Sequence, residues 1–305
     1  MVKQDSNNDR HLTAVSAEVR RYFDWSHRGL WANDAERTRR PVFIIGVHRR
    51  SGTNFLADAI RLTSRFSLPV PLYEDYLLQY SNMLIEYVRL TAREQYQKRF
   101  AEKPAAYSEC EQLMTRSIGD GLLNFLRSYV PGEYRILTKT PDPWNLVNFF
   151  TLFPDALLII IVRDGRDCVE SAKWAFPGRS YLYWMAKWAA NARTILNFLR
   201  ILPPRYEGQV IVTRYEDLLS GQQEMERILE FVGCCSQEYP WDEFRALPVR
   251  GSTFFRGEKK TLHWQPVEKT QYFQPIGRWK NWSWWLRWNF KRLAGAELAA
   301  LGYTW

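Results

Sequence analysis

Four short, unbroken apolar runs constrain this chain more than any other feature. Pro41–Val47 (PVFIIGV), Arg135–Thr138 (RILT), Ala156–Val162 (ALLIIIV) and Gln209–Thr213 (QVIVT) are continuous and rich in β-branched residues. A strand with one wet face alternates apolar and polar residues, so a continuous run implies cover on both faces, as in a parallel sheet. Stretches with helical apolar spacing lie between them: Asn54–Leu62, Tyr76–Leu90, Cys110–Tyr129, Cys168–Trp174, Tyr181–Ile201 and Met225–Val232. Strands alternating with helices predict an α/β fold, a parallel β-sheet flanked by helices. The expected organisation is one domain over residues 41–305. Residues 1–40 precede it as a loosely attached arm, helical around Ala14–Asp24.

With 305 residues, 46% of them hydrophobic, the chain can bury a full core. Its longest apolar run falls far short of the ~20 residues of a bilayer span. The first 40 residues carry no unbroken apolar segment, so a soluble, cytoplasmic protein is expected. Cys110, Cys168, Cys234 and Cys235 show no metal-ligand spacing and the chain has only 4 His, so no metal site is predicted. The charge is uneven. Residues 245–305 hold 11 Lys/Arg against 3 Glu, nearly the whole net charge of +9, and 7 of the 14 Trp. Such a tail fits a polyanionic partner: a phosphorylated ligand, nucleic acid, an anionic glycan or a lipid surface. It also fits plain core tryptophans beside a solvated basic face.

The first run leads into Gly46-Val-His-Arg-Arg-Ser-Gly-Thr-Asn-Phe55, with helical spacing after it. A loop of glycines and hydroxyls at a helix N-terminus is an anion cradle. It is not a Walker A loop, because Thr53 follows Gly52 directly and the cation, Arg50, precedes Ser51. A phosphate bound here without a metal would be neutralised by side chains. The third run ends in Ile161-Val-Arg-Asp-Gly-Arg-Asp-Cys-Val-Glu-Ser171. That places Arg163 at a strand's carboxyl end, where open α/β sheets bind ligands. The competing expectation is that Arg163, Asp164, Arg166 and Asp167 pair among themselves.

These two motifs, then Arg214-Tyr-Glu-Asp-Leu218, Ile276-Gly-Arg-Trp-Lys280 and a closing Leu301-Gly-Tyr303, resemble in kind and order the sulfotransferases that use 3′-phosphoadenylyl sulfate (PAPS). The resemblance runs from Pro41 to Tyr303 and implies the P-loop-type sulfotransferase fold. It implies that Arg50, Ser51, Gly52, Thr53 and Asn54 hold the 5′-phosphosulfate and that Phe55 stacks on adenine. Arg163 and Ser171 would take the 3′-phosphate, and Tyr215 the adenine edge. Arg250, Gly251 and Ser252 match the last 3′-phosphate loop more loosely, lacking its Arg-Lys-Gly form. The implied product of the donor is adenosine 3′,5′-bisphosphate (PAP), with no metal.

Sulfuryl transfer, like phosphoryl transfer, needs positioning, neutralisation of the leaving phosphate and a base for the acceptor's proton. Cytosolic members take that base from a His two residues after a Lys, but Pro141 stands there in Leu137-Thr-Lys-Thr-Pro141. The chain therefore looks closer to the branches with a Glu base. Glu74, 24 residues beyond Arg50, is the first candidate, with Asp75 and His48 as alternatives. A lone His followed by two arginines is expected on the surface or capping the loop. Lys139 matches the lysine at the transferring group. The expected acceptor is a hydroxyl on a phenol or a lipid-like compound, with no nucleic acid partner. Ser283–Arg292 (SWWLRWNFKR) leaves peripheral membrane contact open. The competing functions are a non-catalytic polyanion or membrane-surface binder, and a P-loop kinase.

Overall fold

The computed structural model describes residues 17–23, 39–96, 99, 104–248, 252–256, 259–263 and 274–305. Strands β1 (Val42–Gly46), β2 (Phe66–Ser67), β3 (Arg135–Thr140), β4 (Leu157–Val162) and β5 (Val210–Arg214) form one all-parallel sheet in the order β2-β3-β1-β4-β5. A separate antiparallel pair, β6 (Ser252–Arg256) and β7 (Lys259–His263), follows late in the chain. The helices are α1 (Ala17–Phe23), α2 (Thr53–Arg61), α3 (Ser81–Thr91), α4 (Pro104–Arg127), α5 (Phe149–Leu152) and α6 (Gly165–Ala175). They continue as α7 (Tyr181–Ile201), α8 (Tyr215–Ser220), α9 (Gln222–Phe231), α10 (Trp241–Ala246) and α11 (Trp284–Ala300).

Successive strand side chains point to opposite faces, and the continuous runs feed two apolar cores. On one face Phe43, Ile45, Leu158, Ile160, Val162 and Val212 join Phe149, Trp188 and Phe290 from the helices. On the other, Val42, Ile44, Leu137, Ile159, Ile161 and Ile211 meet Leu56, Ile60, Ile228 and Leu229. Each aliphatic side chain so buried contributes about 1.5–3 kcal/mol of transfer free energy, and the buried polar residues Thr138, Lys139, Thr140 and Thr213 lie toward the strands' carboxyl ends. The four expected strands form, shifted by a residue or so at their ends. The two-residue β2 carries no readable pattern.

Most of the expected arm, residues 1–16 and 24–38, lies outside the described residues; its helix Ala17–Phe23 buries Val19, Tyr22 and Phe23, and the Tyr22 hydroxyl donates to the Leu199 carbonyl at 3.1 Å. One expectation changes. The helix expected from Tyr76 starts only at Ser81. Before it, Tyr73 and Tyr76 adopt left-handed φ values of 55° and 50°, which an α-helix excludes.

Helix α4 offers a paired test of packing. A Cβ on the buried Gly119 would stand 1.8 Å from the Leu152 carbonyl oxygen, a backbone atom with no rotamer to change. A Cβ on Gly121 would meet nothing within 4 Å. Gly119→Ala should therefore lose about 2 kcal/mol or more through overpacking, whereas Gly121→Ala should gain ~0.5–1 kcal/mol of helix propensity. Urea unfolding of both variants checks the opposite signs.

Candidate active site at the strand carboxyl ends

Strand β1 lies between β3 and β4, so the strand order reverses there and a crevice opens beyond the carboxyl ends. The loop leaving β1 is tightly folded. Ser51 N–H donates to the His48 carbonyl at 3.1 Å, and Arg50 and Gly52 take φ values of 77° and 101°. Glycine is needed at 52 twice over: its φ is left-handed, and a Cβ would lie 2.3 Å from the Tyr215 ring. Gly52 also caps α2 without any side-chain hydrogen bond, so the helix's first-turn N–H groups lack a capping side chain. The neighbouring Ser51 hydroxyl is buried and has no partner among the described residues. Thr53 is buried at the helix start, Asn54 is half-buried, and Phe55 packs edge-on against Tyr215 at 6.2 Å between centroids.

Arg163, at the end of β4, extends under this loop. It donates through Nη1 to the Arg50 carbonyl at 2.6 Å and through Nη2 to the Pro275 carbonyl, and its guanidinium lies 4.7 Å from the Tyr215 ring centroid. Its Nε is buried and has no partner among the described residues. Arg50 in turn donates from Nε to the Ser171 hydroxyl at 3.0 Å. Burial, followed by the charges of Arg163 and Arg278, pulls the Arg50 guanidinium down to about 10. Burial and Arg163 likewise lower Arg278. Arg163 itself is raised: burial lowers it, but Cys168, Tyr215, Asp167 and Glu216 together outweigh that burial. Its charge disfavours those of Arg50 and Arg278, and together with an unpartnered hydroxyl and an uncapped helix start this makes a site suited to an anion.

The acidic residues of the same motif hold this site in place. Asp164 pairs with Arg166 at 2.7 Å, but Arg163 is not drawn into that pair. Asp167 accepts from Gly277 N–H at 2.7 Å and Trp279 N–H at 3.3 Å, which fixes the segment carrying Arg278. Glu216 accepts from Asp164 N–H at 3.0 Å and the Tyr303 hydroxyl at 2.9 Å. Arg250 and Gly251 lie outside the described residues, and Ser252 opens β6. Arg278, within a recognised segment but given no role from sequence, joins the cluster. Its position after Ile276-Gly277 was the available signal.

A second group lies at the end of β3. Lys139, buried, donates to Glu74 Oε1 at 3.0 Å, and the Tyr76 hydroxyl donates to Glu74 Oε2. Glu74 keeps about a quarter of its side chain exposed, whereas Lys139 keeps 5%. Asp75 is committed differently: it accepts from Thr138 Oγ1 at 2.7 Å, Thr140 Oγ1 at 3.1 Å and Leu77 N–H at 2.9 Å. These bonds moor the Glu74 loop to β3 and leave Asp75 little capacity to take a proton from a substrate. His48 is buried, not on the surface. Its ring packs edge-on against Trp184, Nδ1 meets the Arg49 carbonyl at 2.6 Å, and Nε2 has no partner among the described residues. Burial lowers it to about 4, so it is neutral near pH 7.

A family model described as "Sulfotransferase family" matches residues 41–238, from the first strand past β5 and its helices. The chain belongs to the sulfotransferase family. No curated protein matches it significantly. Among solved structures it is similar to the "Sulfotransferase Domain from the Synechococcus PCC 7002 Olefin Synthase", at 17% identity and a TM-score of 0.49, over 88% of this chain and 97% of that one. A sulfotransferase from Alicyclobacillus acidocaldarius gives 17% identity and a TM-score of 0.41, over 66% and 84%. In this sulfotransferase the matched segment supplies the loop after β1, the Glu74–Lys139 pair, Arg163, Ser171 and Tyr215, while Arg278 and Tyr303 come from beyond it.

Glu216 gives the site a pH signature. Its carboxyl group is enclosed between Asp164 and Tyr303, although the residue as a whole is partly exposed, and burial raises it to about 7. A carboxyl raised on folding stabilises the folded state fully below its ordinary value, and that contribution is lost as pH climbs through about 7. Between pH 5 and pH 8 the wild type should lose roughly 1–2 kcal/mol relative to Glu216→Gln. Denaturant titrations at the two pH values read the difference, and parallel curves would contradict the assignment.

Proposed function

We propose that this sulfotransferase takes its sulfuryl group from PAPS and passes it to a hydroxyl of a small-molecule or lipid-like acceptor, releasing PAP. The carrying observation is the loop after β1, where Arg163 bonds the Arg50 carbonyl, Arg50 bonds the Ser171 hydroxyl, and the Ser51 hydroxyl is left without a partner among the described residues. A ligand with several negative charges would favour the charged forms of Arg50 and Arg278, which burial and Arg163 disfavour. Ser51, Gly52, Thr53 and Asn54 would receive the 5′-phosphosulfate, Arg163 and Ser171 the 3′-phosphate, and Phe55 and Tyr215 the adenine. The proposal assigns neutralisation of the donor to arginine, not to a metal ion.

Glu74 would accept the proton of the acceptor hydroxyl while the acceptor oxygen bonds to sulfur. The sulfur–oxygen bond to the phosphate breaks, and its electron pair stays on the phosphate oxygen. Lys139, already 3.0 Å from Glu74, would place its charge at the transferring group. Lys139 holds one oxygen of Glu74 and the Tyr76 hydroxyl holds the other, which fixes the orientation of the carboxylate. His48 is the competing base, favoured by its neutral, unpartnered Nε2.

Calorimetry in EDTA should detect PAP binding. A charge-assisted bond is worth ~1.5–3 kcal/mol, so Arg163→Ala should bind PAP at least tenfold more weakly. Absence of binding, or equal affinity for 5′-AMP, would remove the PAPS assignment.

A mass-spectrometric screen of phenols and alcohols with PAPS, reading the gain of one sulfuryl group, identifies an acceptor for kinetics. A general base contributes ~10²–10⁴-fold, so Glu74→Gln should lose at least a hundredfold in turnover with PAP affinity within a few fold of wild type. Full activity in Glu74→Gln together with a dead His48→Ala would move the base to His48.

A further inference from the structure

The tryptophans near the carboxyl terminus fall into two populations. Trp282 is buried and donates from Nε1 to Glu170 at 2.6 Å, and Trp279 lies under the Arg166 guanidinium at 3.7 Å from its ring centroid. These two serve the fold. Trp284, Trp285 and Trp288 are 76%, 45% and 54% exposed. They are not needed to seat α11, which packs on α7 and buries Asn289, Phe290, Ala294 and Leu298.

At 100° per residue, Trp284, Trp285, Trp288, Lys291 and Arg292 share one face of α11, opposite the buried one. Arg292 lies 5.3 Å from the Trp288 ring centroid, and Lys291 lies 5.9 Å from that of the half-exposed Trp305. The helix's one carboxylate, Glu297, is turned to Arg193 at 2.7 Å. The outward face is therefore aromatic and cationic, with no acid of its own.

We propose that this face of α11 docks the protein on an anionic lipid surface. Tryptophan rings with exposed polar edges favour the depth of lipid headgroups, and cations beside them are drawn to a negative leaflet. Charge complementarity selects this occupant. A second copy of the chain packed isologously would set this basic, acid-free face against itself, so Lys291 and Arg292 would meet no opposite charge. Nucleic acid binding grows with the number of phosphates neutralised, and two cations supply few. The inference rests on α11 alone and does not depend on the donor or base assignments.

Vesicle flotation of the full chain tests it, comparing phosphatidylcholine alone with phosphatidylcholine containing phosphatidylglycerol. Anionic vesicles should bind at least tenfold more tightly, with a blue shift of tryptophan emission and weakening in high salt. The triple variant Trp284→Ala, Trp285→Ala, Trp288→Ala should lose at least tenfold in vesicle affinity while keeping wild-type melting and PAP affinity. Lys291→Gln with Arg292→Gln should abolish the preference for anionic lipid. Unchanged binding in the triple variant would overturn the proposal. So would a fall in its molar mass by light scattering, which would assign the face to self-association, or tighter binding of a single-stranded oligonucleotide than of vesicles.

Discussion

The Arg163 guanidinium is the contact on which the rest of the site depends. It rises from the end of β4, next to the central strand β1, bonds the backbone of the loop after β1 and that of Pro275, and lies over the ring that opens α8. Segments more than a hundred residues apart are thus fixed by one planar cation. That role explains why Arg163 does not pair with the neighbouring aspartates. Its hydrogen bonds go to carbonyls, which carry no formal charge. Asp164 and Asp167 neutralise or tether the surroundings instead: one holds Arg166, and the other holds the backbone on either side of Arg278.

The site separates two jobs by distance along the sheet. The ends of β1 and β4, with the segment around Arg278, gather cations and uncapped N–H groups. The end of β3 carries one carboxylate and one ammonium held against each other. Asp75 belongs to neither chemistry. Its two oxygens, bonded to Thr138, Thr140 and Leu77, hold a strained loop on the strand so that the adjacent Glu74 faces Lys139. Adjacent, half-buried carboxylates thereby acquire different tasks, one committed to three hydrogen bonds that hold the loop, the other facing Lys139.

Much of this was legible in the sequence because burial on both faces writes continuous apolar runs. The strands carrying Ile44, Leu137, Ile159 and Ile211 could be found without any partner information. The loop Arg50–Asn54, Arg163 with Ser171, and Lys139 followed by Pro141 were likewise readable as spacing. What stayed hidden depends on tertiary contact. Phe66–Ser67 is a strand only because β3 lies beside it. Tyr76 leaves the helical pattern because its loop is moored through Asp75. His48, followed by Arg49 and Arg50, looked like a surface residue because its cover comes from Trp184, over a hundred residues away. The tryptophan-rich tail showed its composition but not its division into buried Trp282 and exposed Trp284, which only the packing of α11 on α7 determines.

The Tyr303–Glu216 bond has a consequence for the order in which the molecule is made. A chain leaves the ribosome amino end first, and its domains fold as they emerge. The loop at Arg50 is therefore available long before Pro275, Arg278 or Tyr303 has been synthesised. Glu216 cannot gain its second donor, nor Arg163 its second carbonyl, until the last segment has docked. A ligand that recognises the finished crevice stabilises only chains whose segment through Tyr303 has docked, by mass action. Occupancy of the crevice would then mark that docking, and shorter fragments would remain outside that protection.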